Sequence, residues 1–157
     1  MTIGQILALA GAGIALILAG IGSSKGVGLA GETAAGVASE NPDVASKLLV
    51  LQLLPATQGI YGFLIAVIVL INTGVLGGAM KAVSLEQGIS FIIACLPIAI
   101  VGYYSAIRQA KVAAAGMLMT GQRPEMSGRG ITMAVMVETY AVFALLVSFL
   151  MVISIQL

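Results

Sequence analysis

Histidine and tryptophan are absent from the 157-residue sequence, and cysteine occurs once, at Cys95. A single cysteine cannot form an intrachain disulfide, and without histidine no cluster of soft ligands for zinc or copper can be assembled. Any bound metal is therefore expected to be a hard cation held by oxygen atoms.

Charge is also scarce, since charged residues make up 8% of the chain and the net charge is +1. With no extended basic run and few aromatic residues, nucleic-acid binding has neither electrostatic nor stacking support. Hydrophobic residues make up 60% of the chain, and the mean hydropathy is +1.13. This composition indicates an integral membrane protein rather than a soluble domain.

Four apolar stretches have about the length that a helix needs to cross a bilayer: residues 3–21, 48–71, 89–106 and 130–157. The first basic residue, Lys25, comes too late for a secretory signal, so the first stretch is interpreted as a retained span. Polar turns built on Pro42 and Pro124 join the first pair and the last pair of stretches. We therefore predict an all-α membrane protein of two helical hairpins, 1–78 and 79–157. A glycine-rich loop with a short helical end should join them over residues 72–87.

The basic residues predict the orientation of the hairpins. All of them lie in or beside the two proline turns except Lys81, which lies in the connection between the hairpins. Because positive charge accumulates on the cytoplasmic side, both turns should be cytoplasmic and both termini outside, in a multi-pass protein of the cell membrane.

The two hairpins also resemble each other when 80 is added to the residue numbers of the first. Thr33–Gly36 falls on Ala113–Gly116, Gln58 on Glu138 and Phe63 on Phe143, while the proline turns match after a slip of two positions. A two-span unit returns the chain to its starting side, so the copies should be parallel repeats, a symmetry that suits assembly into a ring. Glycine, alanine and serine crowd the first helix, as suits the tightly packed inner wall of an oligomer.

Glu138 lies within the last apolar stretch, where a carboxylate costs on the order of 2.5 to 3.5 kcal/mol and needs an offsetting role. Gln109 and Glu138 are equally far from the second proline turn, and Thr57 and Gln58 are about as far from the first. In antiparallel hairpins, residues equally far from the turn lie at one height, so these four side chains should form one polar layer.

One helix face carries Leu54, Thr57, Gln58 and Tyr61, at spacings of three and four residues. Pro55 at its edge lacks an N–H and frees backbone carbonyls for another partner. Two amides, a hydroxyl, a carbonyl and a carboxylate form an all-oxygen set that suits an alkali cation, with Glu138 supplying the neutralising charge. Alternatively, Gln58 and Gln109 join helices by hydrogen bonds alone.

Three segments carry a family resemblance: LQLLPATQGIYGF (51–63), QAKVAAAG (109–116) and MVETYAV (136–142). In this order on a duplicated hairpin, they closely resemble the K subunits of bacterial V-type rotary ATPases, over nearly the whole chain. The resemblance implies a proteolipid with four transmembrane helices, one essential glutamate and no catalytic site of its own. Such subunits assemble into a membrane rotor ring, with the first and third helices lining its inside.

For sodium-pumping members, the resemblance implies that Na⁺ is bound by Glu138, Gln109, Gln58, Thr57 and the Leu54 carbonyl, with Tyr61 hydrogen-bonded to Glu138. It also implies three kinds of partner: a stator subunit bearing an arginine, a central-stalk subunit at the turns near Pro42 and Pro124, and membrane lipids.

Three alternatives remain open at the level of sequence. The same ring could carry H⁺, with Glu138 protonated and the glutamines as hydrogen-bond partners. The chain could instead form a self-contained oligomeric channel or secondary transporter, or a purely structural membrane oligomer.

Overall fold

The computed structural model describes residues 1–157, and all of its regular structure is helical. Five α-helices follow one another along the chain: α1 (Ile3–Glu40), α2 (Ala45–Leu53), α3 (Thr57–Asn72), α4 (Leu85–Gln122) and α5 (Ser127–Ser154). Short 3₁₀ segments at Pro42–Val44, Leu54–Ala56 and Pro124–Met126 connect them within each hairpin. Because α2 and α3 continue through Leu54–Ala56 as one span, four segments are long and apolar enough to cross a membrane. The predicted all-α, four-span fold is confirmed.

The first and third spans are longer than their apolar stretches predict. Helices α1 and α4 have 38 residues each, which at 1.5 Å per residue is about 57 Å, well beyond a hydrocarbon core of roughly 30 Å. Both begin with a capping box, Thr2 with Gln5 and Ser84 with Gln87. The expected short helical end of the inter-hairpin loop is thus the first turn of α4. Gly74 and Gly78, with φ of 78° and 73°, turn the backbone in that loop.

The two hairpins are repeats, but the predicted numbering offset of 80 is wrong. Pro42 and Pro124 open equivalent 3₁₀ turns, which sets the offset at 82, and the residues before them, Asn41 and Arg123, have nearly identical backbone angles. The paired helices have equal lengths, so the same offset holds from end to end. The short similarities at the smaller offset involve mostly alanine and glycine. These residues are so frequent in this chain that short matches between them arise by chance. The boundary between residues 78 and 79 stays a prediction.

Helices α1 and α4 lie against each other at very short distance, because glycine occupies the contact positions. A Cβ atom added at Gly22 would lie 2.5 Å from the Cα atom of Tyr103, and one at Gly26 would lie 2.9 Å from the carbonyl oxygen of Ala106. Neither position can accept a side chain without moving backbone. In lipid, such close contact is the main source of helix association.

The buried interior consists of two apolar clusters separated along the spans. The cluster near the termini includes Ile65, Phe91 and Ile98, and the cluster near the proline turns includes Leu51 and Met117. Between the two clusters lies a layer of buried polar side chains, formed by Ser23, Gln58, Ser105 and Gln109. Large apolar side chains on the outside, such as Phe63 and Phe143, are more than half exposed, as expected for a surface that lipid or other membrane protein covers.

Gly22→Ala should destabilise the protein by about 1–3 kcal/mol, because its new methyl group must push α4 away. Gly13→Ala is the matched control on the same helix, since a Cβ atom there meets nothing within 4 Å. The midpoint of thermal unfolding in detergent, followed by circular dichroism, should fall for Gly22→Ala and stay level or rise for Gly13→Ala. Equal midpoints for the two variants would contradict the close α1–α4 contact.

Candidate ion-binding site

Glu138 on α5 is partly buried at the level of the polar layer and receives two hydrogen bonds. The Tyr61 hydroxyl on α3 donates to Oε1 at 2.6 Å, and the Gln109 amide on α4 donates to Oε2 at 3.2 Å. Neither donor carries a charge. The carboxyl group is therefore held in place by two neutral side chains, and neither of them supplies a compensating charge.

The two glutamines are fully buried and bonded to each other. Gln58 Nε2 donates to Gln109 Oε1 at 2.6 Å and also lies 3.3 Å from Ser105 Oγ. Each amide oxygen has two lone pairs, so Gln109 Oε1 keeps one for a further partner. The chain of bonds from Gln58 through Gln109 to Glu138 joins α3, α4 and α5 at one height.

Three more oxygen atoms meet where the second span changes its helix type. Pro55 lies in the 3₁₀ segment Leu54–Ala56, where the α-helical pattern of hydrogen bonds is interrupted. The Thr57 hydroxyl lies 3.0 Å from the Leu54 carbonyl oxygen, to which it donates, and 3.3 Å from Gln58 Oε1. The carbonyl of Leu54 regains a free lone pair whenever the hydroxyl turns its proton away.

The structure thus places every residue predicted for the site in one connected cluster. Equal distance from the proline turns correctly indicated a shared height, because Gln109 and Glu138 are in contact. Within the stripe, Gln58 and Tyr61 bond to α4 and α5, whereas Leu54 and Thr57 bond to each other and are partly buried. Whether these residues bind an ion stays a prediction at this point.

Two serines that were not predicted from the sequence, Ser23 and Ser105, adjoin the cluster. Ser105 Oγ on α4 donates to the Val137 carbonyl at 3.1 Å, and Ser23 Oγ on α1 donates to the Pro55 carbonyl at 2.7 Å. Both the serines and their acceptors correspond at the repeat offset of 82, so they are equivalent in the two repeats. The correct repeat offset is the signal that could have found them.

The chemistry of the cluster fits a monovalent cation better than a divalent one. Its oxygens come from one carboxylate, two amides, one hydroxyl and one backbone carbonyl, so it offers a single negative charge. The chain has no group of three or more histidine, cysteine or acidic side chains that could hold a more highly charged ion. A hard ion of charge +1 would leave the cluster neutral overall.

A groove on the outer face of α5 leads to Glu138. Val135, Thr139, Val142 and Phe143 line it together with Glu138, and its volume is about 360 Å³. Its walls are mostly apolar, as suits a surface within the bilayer. Glu138 thus connects the cluster to the outside of the protomer.

Gln109→Leu should destabilise the protein by about 1–3 kcal/mol, because the buried Gln58 amide loses the closer of its two acceptors and Glu138 loses a donor. Gln52→Leu on α2, where the glutamine is partly exposed and away from the layer, is the matched control and should change stability little. Thermal unfolding in detergent measures both, and an unchanged midpoint for Gln109→Leu would argue against the buried amide network.

Comparison with known proteins agrees with this architecture. The family model for the C subunit of ATP synthase matches the chain twice, over residues 10–69 and 92–151, which again correspond at an offset of 82. The V-type sodium ATPase subunit K of Enterococcus hirae is 45% identical over 151 residues, covering 96% of this chain and 93% of that protein. The A-type ATP synthase subunit K of Methanocaldococcus jannaschii is 34% identical over 151 residues, covering 96% of this chain and 63% of that protein.

These matches span both hairpins and confirm the resemblance to K subunits that the three sequence segments carried. The tandem match places one family unit on each hairpin, and the relatives are subunits of ion-translocating ATPases. This chain therefore belongs to the family of ATP synthase C subunits, as a two-repeat, non-catalytic membrane subunit of the K type.

Proposed function

We propose that this chain is the ion-carrying protomer of the rotor ring of a V-type ATPase, and that it binds Na⁺ at Glu138. The observation that carries the proposal is a single carboxylate that accepts hydrogen bonds from two neutral side chains, Tyr61 and Gln109. It lies beside a layer of uncharged amide, hydroxyl and carbonyl oxygens that could serve as ligands. Its 45% identity to the K subunit of a V-type sodium ATPase favours Na⁺ as the cargo. A proton-carrying glutamate needs only one or two hydrogen-bond partners, whereas this cluster offers four further oxygens.

The proposed ligands are Glu138, Gln109 Oε1, Gln58 Oε1, Thr57 Oγ1 and the Leu54 carbonyl oxygen. Tyr61 orients Glu138 through its hydroxyl, and Pro55 supports the site by interrupting the helix beside Leu54. Binding requires small adjustments within the cluster rather than a change of fold. The Thr57 proton turns away from Leu54, and the carboxylate and amide oxygens turn towards the ion.

Electrostatics then links ion exchange to rotation. A loaded site is neutral and can move past lipid, whereas an empty carboxylate at the groove in α5 would be costly in hydrocarbon. The empty state is therefore stable only beside a compensating positive charge, which an arginine on a stator subunit would provide. Each ion leaves and is replaced only as its protomer passes that position.

The proposed ring couples several ions to each ATP. Moving one charge through 100 mV is worth about 2.3 kcal/mol, so one ion alone cannot balance ATP hydrolysis or synthesis on partner subunits. The number of protomers in the ring, with one Glu138 in each, would fix how many ions cross in one turn.

The two proline turns are proposed to be cytoplasmic and to contact the central stalk. They lie side by side, because Lys47 Nζ is 3.1 Å from the Pro124 carbonyl oxygen and Asn41 Nδ2 is 3.1 Å from that of Gly121. Their joint surface carries the basic residues Lys47, Arg123 and Arg129, as expected on the cytoplasmic side. Both termini would then lie outside the cell.

Carbodiimide labelling of Glu138 in the purified oligomer tests the ion. The reagent attacks a protonated carboxyl group, so Na⁺ that occupies the site should slow the reaction, whereas K⁺ at equal ionic strength should not. Label on Glu138 is measured by mass spectrometry across a pH series, and Glu138→Gln is the control that should take up none.

Two results would count against the sodium proposal. Labelling that follows pH and ignores Na⁺ would favour a ring that carries H⁺. Na⁺ transport by the purified chain in liposomes, without the other ATPase subunits, would instead favour a self-contained channel or transporter.

Thr57→Val should raise the Na⁺ concentration that gives half-maximal protection by about tenfold, since one ligand of roughly 1.4 kcal/mol is lost. Thr132→Val on α5 is the matched control, because its hydroxyl likewise donates to a carbonyl of its own helix, at Gly128, and Thr132 does not line the groove beside Glu138. Thr132 is exposed, and its loss should change protection less than twofold. Equal effects from the two valines would remove Thr57 from the ligand set.

A further inference from the structure

Ser23 on α1 inserts its hydroxyl into the backbone of the second span, beside the proposed ion ligands. It is 7% exposed. Its Oγ accepts a hydrogen bond from the Gly59 amide at 2.7 Å and donates to the Pro55 carbonyl at 2.7 Å, with the Ala56 carbonyl also at 3.3 Å. In a continuous α-helix, the Gly59 amide would bond directly to the Pro55 carbonyl, four residues earlier.

The hydroxyl therefore takes the place of one backbone hydrogen bond of the helix, the one from Gly59 to Pro55. A side chain inserted into the i→i−4 pattern is a recognised cause of a local opening in a helix. The opening coincides with the 3₁₀ segment Leu54–Ala56, and α3 resumes at Thr57. Pro55 lacks an N–H, which explains the missing hydrogen bond to the carbonyl four residues before it. It does not explain why the Gly59 amide fails to bond to the Pro55 carbonyl, one turn further on. That second gap is filled by the Ser23 hydroxyl.

The approach of Ser23 depends on the absence of a side chain at Gly59. A Cβ atom there would lie 3.0 Å from both Cβ and Oγ of Ser23. Serine is a short side chain, so its hydroxyl reaches the backbone of α3 only because the two helices touch at this glycine. The contact is specific in position, since the exposed neighbour Ser24 bonds only to Ile21 of its own helix.

The second repeat shows what happens when only the serine is present. Ser105 corresponds to Ser23 and donates to the Val137 carbonyl, which corresponds to that of Pro55. Yet α5 runs without interruption from Ser127 to Ser154, and Ser105 Oγ lies near the Gln58 amide instead of a backbone N–H. Serine alone does not open a helix here, whereas serine together with proline and glycine accompanies an opening.

We infer that Ser23 is a positioning residue of the ion site, which holds the second span open so that the Leu54 carbonyl, the Thr57 hydroxyl and the Gln58 amide oxygen face the cluster. This inference rests on the proposed ion-binding function. Ser23 itself is hydrogen-bonded to Pro55, Ala56 and Gly59 and to none of the proposed ligands. It acts through the backbone that carries them.

Removal of the hydroxyl should let the helix close. In Ser23→Ala, the Gly59 amide and the Pro55 carbonyl would lose their shared partner and satisfy each other, because an unpaired buried amide or carbonyl is costly. The backbone N–H of Gln58 could then bond to the Leu54 carbonyl in the α-helical manner. That carbonyl would point along the helix axis instead of towards the cluster.

The test compares Ser23→Ala with Ser24→Ala in the purified oligomer by carbodiimide labelling of Glu138. Ser23→Ala should raise the Na⁺ concentration for half-maximal protection by about tenfold, the factor expected when one ligand is misplaced. In Na⁺-free buffer, its labelling should keep the pH profile of the unmodified protein, since Tyr61 and Gln109 still hold the carboxylate. Ser24→Ala should match the unmodified protein in both measurements.

A cryo-electron microscopy map of the Ser23→Ala oligomer supplies a second readout that does not involve Na⁺. A continuous helix through residues 54–59 would support the inference, and an unchanged opening would overturn it. Protection within twofold of that of the unmodified protein would overturn it as well. If Na⁺ fails to protect even the unmodified protein, the sodium proposal fails, and the map alone then decides whether Ser23 holds the helix open.

Discussion

The structure depends on one constraint: polar groups inside a bilayer must find their partners within the protein, because hydrocarbon offers none. Every buried side-chain nitrogen or oxygen atom in this chain has a hydrogen-bond partner. The polar layer meets that requirement only when four spans are in register, since α1 supplies Ser23, α3 supplies Gln58, α4 supplies Gln109 and α5 supplies Glu138. Fold and site therefore determine each other, and the apolar clusters on either side keep the layer closed.

Small residues make this layer possible. Hydrogen bonds from serine reach a neighbouring backbone only if the helices nearly touch, as they do between Ser23 and Pro55 and between Ser105 and Val137, and the glycines of the spans allow it. A Cβ atom at Gly62, one turn from the opening in the second span, would lie 2.5 Å from the Ala15 carbonyl oxygen. Gly22 and Gly26 of α1 therefore serve contact with α4, and Gly59 and Gly62 of α3 serve contact with α1. These contacts within the protomer are additional to any role of glycine at the wall of a ring.

The sequence allowed the number of spans, the hairpins and the cluster around Glu138 to be predicted, because hydropathy and distance from a turn are one-dimensional properties. It did not allow the lengths of α1 and α4 to be predicted, since hydropathy marks the part of a helix that matches lipid rather than where its hydrogen bonds end. Ser23 and Ser105 were missed for another reason. A serine in a membrane helix is unremarkable until its three-dimensional neighbours are known, and the incorrect repeat offset hid their equivalence.

The correct offset also shows how the repeats have diverged. Ala56 occupies the position of Glu138 in the first hairpin, and Val27 occupies that of Gln109, so the first hairpin lacks both the charge and its partner amide. In the proposed rotor, each four-helix protomer therefore carries one ion. If both of its hairpins had kept an ion site, it would carry two. A ring of given circumference moves half as many charges in a turn. The same free energy from ATP is divided among fewer ions, so each ion can be moved against a larger electrochemical gradient.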